Sequence, residues 1–254
     1  MEACGNLVNN ILWTGGDSTF RILDLVLVKN RLVQPYYVID LDRKSTKVEI
    51  GAMRHIKGMI FEKMPEAMSL MKDTIFVVRD EIRKNDEITA RYRKLRSTSH
   101  LGEQYDWLTR LVIDRSIDGL ELYIHKDDKA EGFIRKDVVK VVDAKDFYHE
   151  LIDAPSISEL KIFRHYRFPV LEYTKTEMGR YAEEHGFDDI MEHTWFCYNP
   201  TKDGKPCGLC NPCRYTREEG LGRRVPPVAM ANEKTGEAMN LVPRVIRYIR
   251  KHFH

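Results

Sequence analysis

The chain has 254 residues, 43% of them hydrophobic and 31% charged, and its formal net charge is only +2. That length can bury a sizeable core, as one large domain or as a domain with an appendage. The near-balance of charge excludes a global drive toward nucleic acid or membrane, and no apolar run approaches a membrane span, so a cytoplasmic location with no membrane partner is expected.

The first periodic element is the apolar run Asn10–Thr14, read as a buried strand. It ends in Gly15-Gly16-Asp17-Ser18-Thr19, and the apolar-rich stretch from Phe20 to Leu27 then reads as a helix covered on both sides. Ser18 or Asp17 is expected to cap that helix. Glycines between a strand and a helix let backbone N–H groups approach an anion, and the helix N-terminus adds partial positive charge. A plain tight turn would use the same residues. A hydroxyl at Ser18 or Thr19 can donate to phosphate oxygens, whereas Asp17 sits badly beside bare phosphate unless a magnesium ion lies between.

Val33–Ile39 reads as a second strand, ending in the polar turn Asp40-Leu-Asp42-Arg43-Lys44-Ser45. Thr46-x-x-Glu49 has the form of a capping box, and Ile50, Met53, Ile56 and Ile60 continue one helical face. Ile75–Val78 is a third strand, and Gly119–Ile124 alternates as a fourth. Strands separated by helical stretches imply a doubly wound parallel sheet of α/β class, with ligands beyond the carboxyl ends of the strands. Asp40, Arg43 and Lys44 would then sit beside the glycine loop, facing phosphate or a carboxylate, or else form a solvated turn. Between the third and fourth strands, Gln104 offers an amide edge suited to a purine-like base. Tyr105 and Trp107 offer ring faces, although the same positions suit an amphipathic helix core.

Four of the five cysteines lie within 17 residues as Cys197-x9-Cys207-x2-Cys210-x2-Cys213. A C-x2-C step turns two thiolates onto one ion, and four sulfurs close a tetrahedral shell with no open position, so a structural zinc site is expected. Paired disulfides are the alternative, disfavoured in a chain with no secretory character. Cys4 is left over, with no role assigned. Beyond Pro227, Val242, Val245, Ile246, Ile249 and Phe253 form one stripe with basic residues on the other faces. Such a helix docks on its own domain or a second subunit, or binds an acidic surface.

Thr14-Gly15-Gly16-Asp17-Ser18 resembles the Ser-Gly-Gly-x-Asp-Ser loop of the ATP pyrophosphatase (PP-loop) superfamily, one residue shorter because the spacer before the aspartate is missing. Together with the cysteine knuckle, the run Pro169-Val-Leu171 to Lys175-x-Glu177 and the segment Thr194-Trp-Phe-Cys197-Tyr198, it resembles the 7-cyano-7-deazaguanine synthase family. The resemblance implies a HUP/PP-loop α/β domain over residues 1–190, with a zinc-binding and helical segment over 191–254 packed on it. It implies ATP and Mg2+ alongside structural Zn2+, with Thr14, Gly15, Gly16, Asp17, Ser18, Thr19 and Asp40 on ATP. Asp17, Ser18 and Lys175 would serve catalysis, with Lys175 otherwise a surface lysine, while Arg43, Lys44 and Gln104 would meet a 7-deazapurine carboxylate. A homodimer is also implied. The family's Pro-x-Arg-Asn segment is absent, and Gly102–Tyr105 stands in about its place. This departure implies a divergent branch whose acyl acceptor is ammonia or another amine, including one on a protein or nucleic acid, while the shortened loop equally suits a PP-loop nucleotide-binding protein altered in catalysis.

Overall fold

The computed structural model describes residues 8–227, apart from 127, 144 and 145. Cys4 and the basic stripe of residues 241–253 lie outside the described residues. Five parallel strands form the sheet: β1 (Asn9–Leu12), β2 (Val33–Ile39), β3 (Ile75–Val78), β4 (Leu120–Glu121) and β7 (Tyr166–Arg167), in the spatial order β3-β2-β1-β4-β7. The order reverses at β1, and the crevice between β1 and β4 is the switch point of a doubly wound sheet. An antiparallel pair, β5 (Val138–Asp143) and β6 (Asp146–Leu151), is joined to the sheet by a bridge between His149 and Phe168, just after β7.

Side-chain alternation along β2 separates two cores. Val33, Tyr37 and Ile39 face one side, together with Phe20, Ile50, Met53, Ile56 and Ile60. Val38 faces the other, with Tyr92, Leu95, Leu108 and Leu111. Helices therefore cover both faces: α1 (Thr19–Leu23, continuing as a wide turn through Val28) and α2 (Thr46–Lys63) on the first, α4 (Asp86–Thr98) and α5 (Gln104–Asp114) on the second. The short α3 (Ala67–Leu70) follows α2, and α6 (Glu131–Ile134) follows β4. α7 (Lys175–Glu184), α8 (Asp188–Met191) and α9 (Asn211–Thr216) complete the described chain. Both faces thus carry the apolar periodicity that the sequence shows, and the fold is of HUP/PP-loop type. Among the described residues no helix is long and apolar enough to cross a membrane.

Three local expectations are corrected. Ser18 precedes α1 but makes no side-chain cap; its Oγ instead lies 3.4 Å from the Thr14 amide, closing the glycine loop on itself. The Thr46–Glu49 capping box does not form. Thr46 is already inside the helix and donates to the carbonyls of Asp40 and Arg43, while Glu49 turns inward to Tyr37 Oη and Ser45 Oγ, each at 2.7 Å. Tertiary hydrogen bonds have consumed the residues that a cap would need. A capping box forms instead at α7, between Thr174 and Glu177. The fourth strand is only Leu120–Glu121, since Leu122 to His125 leave the sheet to line a cavity.

A buried ion network ties α1 to β4 and β6. Arg21, 3% exposed, meets Asp24 at 2.8 Å, Glu121 at 2.6 Å and Asp146, and Lys29 bonds Asp24 and Asp146. Burial raises the cost of charge at Asp146, yet the guanidinium and Lys29 together hold its carboxyl below the usual range. Removing the central cation would leave the buried Glu121 carboxylate with no cation, and Asp24 and Asp146 with Lys29 to share. Arg21→Met is therefore expected to destabilise the fold by about 3–5 kcal/mol in equilibrium denaturation; a loss under about 1 kcal/mol would show that the network is solvated.

Candidate active site

Gly15 occupies a left-handed backbone conformation, φ +71°, and a Cβ there would lie 3.0 Å from the Glu49 carbonyl, so glycine is required by both conformation and space. Gly16 is confined from the other side, where a Cβ would approach the Trp195 carbonyl to 2.8 Å. The Trp195 amide donates to the Gly15 carbonyl at 2.7 Å. The loop after β1 is thus sewn to the segment that enters the cysteine cluster, 180 residues later in the chain. Among the described residues, the amides of Gly16, Asp17 and Ser18 have no hydrogen-bond acceptor, so the loop presents N–H groups at a helix start.

This seam forms one wall of a cavity of about 400 Å³ at the β1/β4 switch point. Of the predicted residues, Thr14, Gly16, Asp17, Ser18, Arg43, Gln104 and Lys175 line it. Four others do not. Gly15 acts behind the wall. Thr19 is fully buried, and its Oγ1 accepts from the Trp13 indole N–H at 2.9 Å, which removes it from any phosphate. Asp40 is held by Arg79 at 2.7 Å, and Lys44 points to solvent. Tyr105 packs its ring 5.3 Å from Phe163, so the core reading applies to it.

Lys175 reaches into the cavity from the start of α7 and bridges Asp17 at 3.1 Å and Glu219 at 2.8 Å. Burial disfavours its charge, but the two carboxylates outweigh that and hold its pKa above the ordinary value. Arg43 pairs with Glu49 at 3.0 Å and lies 5.7 Å from the Tyr198 ring centre. Arg224 enters from the last described turn, donates to Thr194 Oγ1 at 3.0 Å and stacks over Phe196. Burial lowers its pKa, an effect that the carboxylates of Glu192 and Asp17 oppose. The lining contains Arg43, Lys175 and Arg224 against Asp17, Glu49, Asp128 and Glu219. With carboxylates in slight excess, a polyanionic ligand enters favourably only with a divalent cation beside it.

Glu49, Tyr198, Tyr215, Glu219 and Arg224 all line the cavity and were missed in sequence reading. Only Tyr198 carried a signal, as neighbour of the first cysteine. The others reach the site through tertiary folding.

The four cysteines stand behind the same wall, their sulfurs all within 4.8 Å of one another. Cys207 and Cys213 are 3.9 Å apart, Cys197 and Cys210 3.8 Å, and Cys210 and Cys213 3.5 Å. Tetrahedral zinc with Zn–S near 2.3 Å sets sulfur–sulfur edges of about 3.8 Å, so the donor set fits that ion. The Cys207 amide points at Cys197 Sγ, 3.2 Å away, and the amides of Leu209 and Cys210 at Cys207 Sγ, each 3.4 Å away. These bonds stabilise thiolate, the form a metal requires. Burial pushes the Cys213 thiol up to about 12, so four ionised sulfurs at this spacing need a cation among them.

Residues 130–224 match the family described as "Queuosine biosynthesis protein QueC". The matched segment holds Lys175, Trp195, all four cysteines and Arg224. Over this segment the chain is similar to that family. It is 46% identical over 46 residues to a 7-cyano-7-deazaguanine synthase of Rhizorhabdus wittichii, a match covering 18% of this chain and 19% of that one. It is 37% identical over 54 residues to 7-cyano-7-deazaguanine synthase 1 of Sphingopyxis alaskensis, covering 21% and 23%. The matches span about a fifth of the length of these curated relatives. The glycine loop lies outside the QueC-matched segment, yet the fold closes that loop directly on it through Gly15 and Trp195.

Proposed function

We propose that the chain is an ATP-dependent enzyme of the 7-cyano-7-deazaguanine synthase type, adenylating a 7-deazapurine carboxylate. One observation carries the reading: the glycine loop and Lys175, paired through Asp17, line a single cavity together with Thr194, Trp195, Phe196 and Tyr198 of the QueC-matched segment. In the first step a carboxylate oxygen of 7-carboxy-7-deazaguanine attacks the α-phosphorus of ATP, and the bond to pyrophosphate breaks. Ammonia then attacks the acyl carbon, AMP leaves, and an amide forms. A second ATP activates the amide oxygen in the same way, with loss of pyrophosphate; the nitrogen gives up both of its protons as AMP departs with the oxygen, and the nitrile remains.

The residues supply position and charge. The free amides of Gly16, Asp17 and Ser18 would hold phosphate oxygens, with the Ser18 hydroxyl as a further donor. Mg2+, carried on Asp17 and the phosphates, would neutralise charge that the carboxylate excess otherwise repels. Lys175 would exchange its Asp17 and Glu219 partners for the departing pyrophosphate, and Arg224 would screen the same charge from the opposite wall. Arg43 would meet the substrate carboxylate, while Gln104 and the Tyr198 ring would address the planar base. Zn2+ on Cys197, Cys207, Cys210 and Cys213 would brace the wall and take no part in bond changes.

Mass spectrometry of protein incubated with ATP, Mg2+, ammonium and 7-carboxy-7-deazaguanine is expected to show the amide or nitrile with AMP. AMP without a new small product would move the acyl group to another amine, such as one on a protein; absence of AMP would overturn the proposal. The seam is testable separately. A methyl group at Gly16 meets backbone rather than a flexible side chain, so Gly16→Ala should weaken ATP binding by about tenfold or more in calorimetry. Wild-type affinity in that variant would exclude the loop from the ATP site.

A further inference from the structure

A second cavity, of about 840 Å³, lies between α4, α5 and the segment after β3, and shares no lining residue with the first. Helical spacing explains the separation. Gln104, Tyr105 and Leu108 of α5 face the first cavity, while Glu103, Asp106, Trp107 and Arg110 face the second. Thr89, Arg93, Arg96 and Ser97 of α4 form the opposite wall.

Five cations and three carboxylates line this space. Among the described residues, Lys84 and Arg93 have no hydrogen-bond or ion-pair partner. The Arg96–Glu103 pair is open to water, its side chains 49% and 78% exposed, so it is held weakly and can yield to a stronger anion. The Arg110 Nε is buried without an acceptor. Arg79 is paired with Asp40, Asp42 and Asp80, and Arg110 with Asp106, so Lys84 and Arg93 carry the charge left over for an entering anion. Half-buried Trp107 adds a ring face to the same cavity, and the volume falls in the range of small-ligand sites rather than of an extended groove.

We infer that this cavity is a second binding site, for a small phosphorylated ligand of nucleotide size, with phosphate on Lys84, Arg93 and Arg96 and a ring on Trp107. The inference does not depend on the proposed chemistry at the first cavity. Its test is calorimetric titration of the full-length, zinc-loaded protein with ADP. A saturable site should persist in Gly16→Ala, whose added methyl group weakens nucleotide binding in the first cavity. That site should lose affinity by about tenfold or more in the double variant Lys84→Glu/Arg93→Glu, whose exposed positions should leave thermal unfolding unchanged. Measured against a Trp107→Phe control, which carries only the Trp13 and Trp195 signals, ADP should also quench the Trp107 fluorescence, and inorganic pyrophosphate, lacking a ring, should quench it less. Unchanged ADP binding in the double variant, or no saturable site in Gly16→Ala, would overturn the inference. A short thymidine oligonucleotide binding more tightly than ADP would overturn the assignment to a small ligand. So would a double variant altered only in oligomeric state, which would make the cavity a subunit contact.

Discussion

Lys175→Ala is expected to lower the turnover of carboxylate-dependent AMP formation by about 100- to 1000-fold, with the KM for ATP changing by less than about tenfold. The expectation follows from where the ammonium sits. It bridges Asp17 and Glu219 in a half-buried position, and its two partners keep it charged in a place where burial alone would favour neutrality. A cation there adds little to binding a Mg2+-neutralised ground state. It adds much when pyrophosphate separates and its bridging oxygen gains charge. Lys175→Arg should recover part of the lost turnover, since it restores charge with a different fork geometry. Steady-state AMP release separates the two parameters. Wild-type turnover in Lys175→Ala would assign the residue to a structural bridge, and a large KM effect at constant turnover would make it a binding group only.

The second large effect is on stability. Cys210→Ser is expected to abolish stoichiometric zinc and to lower the thermal midpoint by roughly 6–12 °C, corresponding to about 3 kcal/mol in a chain of this size. Cys210 joins two edges of the sulfur tetrahedron, to Cys197 and Cys213. Few apolar groups support this segment: besides the cysteines, its core comprises Val225 with Trp195, Phe196 and little else. So small a cluster cannot hold a fold by burial, and the proposed zinc would supply the difference. The loss should spread to the glycine loop, because Trp195 lies two residues before the first ligand and bonds Gly15. Zinc content and differential scanning calorimetry check this together. A zinc-free Cys210→Ser protein with the wild-type midpoint would contradict a structural metal.

The features legible in the sequence were those encoded locally. The cysteine spacing is a short-range signal, and the sulfurs do converge. β1, β2 and β3 were legible because their apolar runs are bounded by polar turns. The errors have a common physical origin, which is competition from residues distant in sequence. Thr46 and Glu49 satisfy a capping pattern, but Tyr37 and Arg43 claim the carboxylate. Asp40 stands at the end of β2 as expected, yet Arg79 from the end of β3 captures it. Thr19 has the right chemistry for phosphate but serves as acceptor for the buried Trp13 indole. β5 and β6 form their own antiparallel pair outside the main sheet, and their pairing depends on each other rather than on a strong local pattern. Glu219 and Arg224 reached the cavity by folding of the last described turns over the loop, which no spacing in the chain announces.

Transfer of substrate oxygen tests the central claim most directly. With 7-carboxy-7-deazaguanine labelled with 18O in its carboxylate, adenylation followed by attack of an amine must leave one labelled oxygen in AMP. The account predicts labelled AMP in proportion to product, and its loss in Lys175→Ala. Unlabelled AMP would mean that ATP is cleaved at this site without activation of the carboxylate, and ADP with labelled phosphate would mean activation as an acyl phosphate; either contradicts the account.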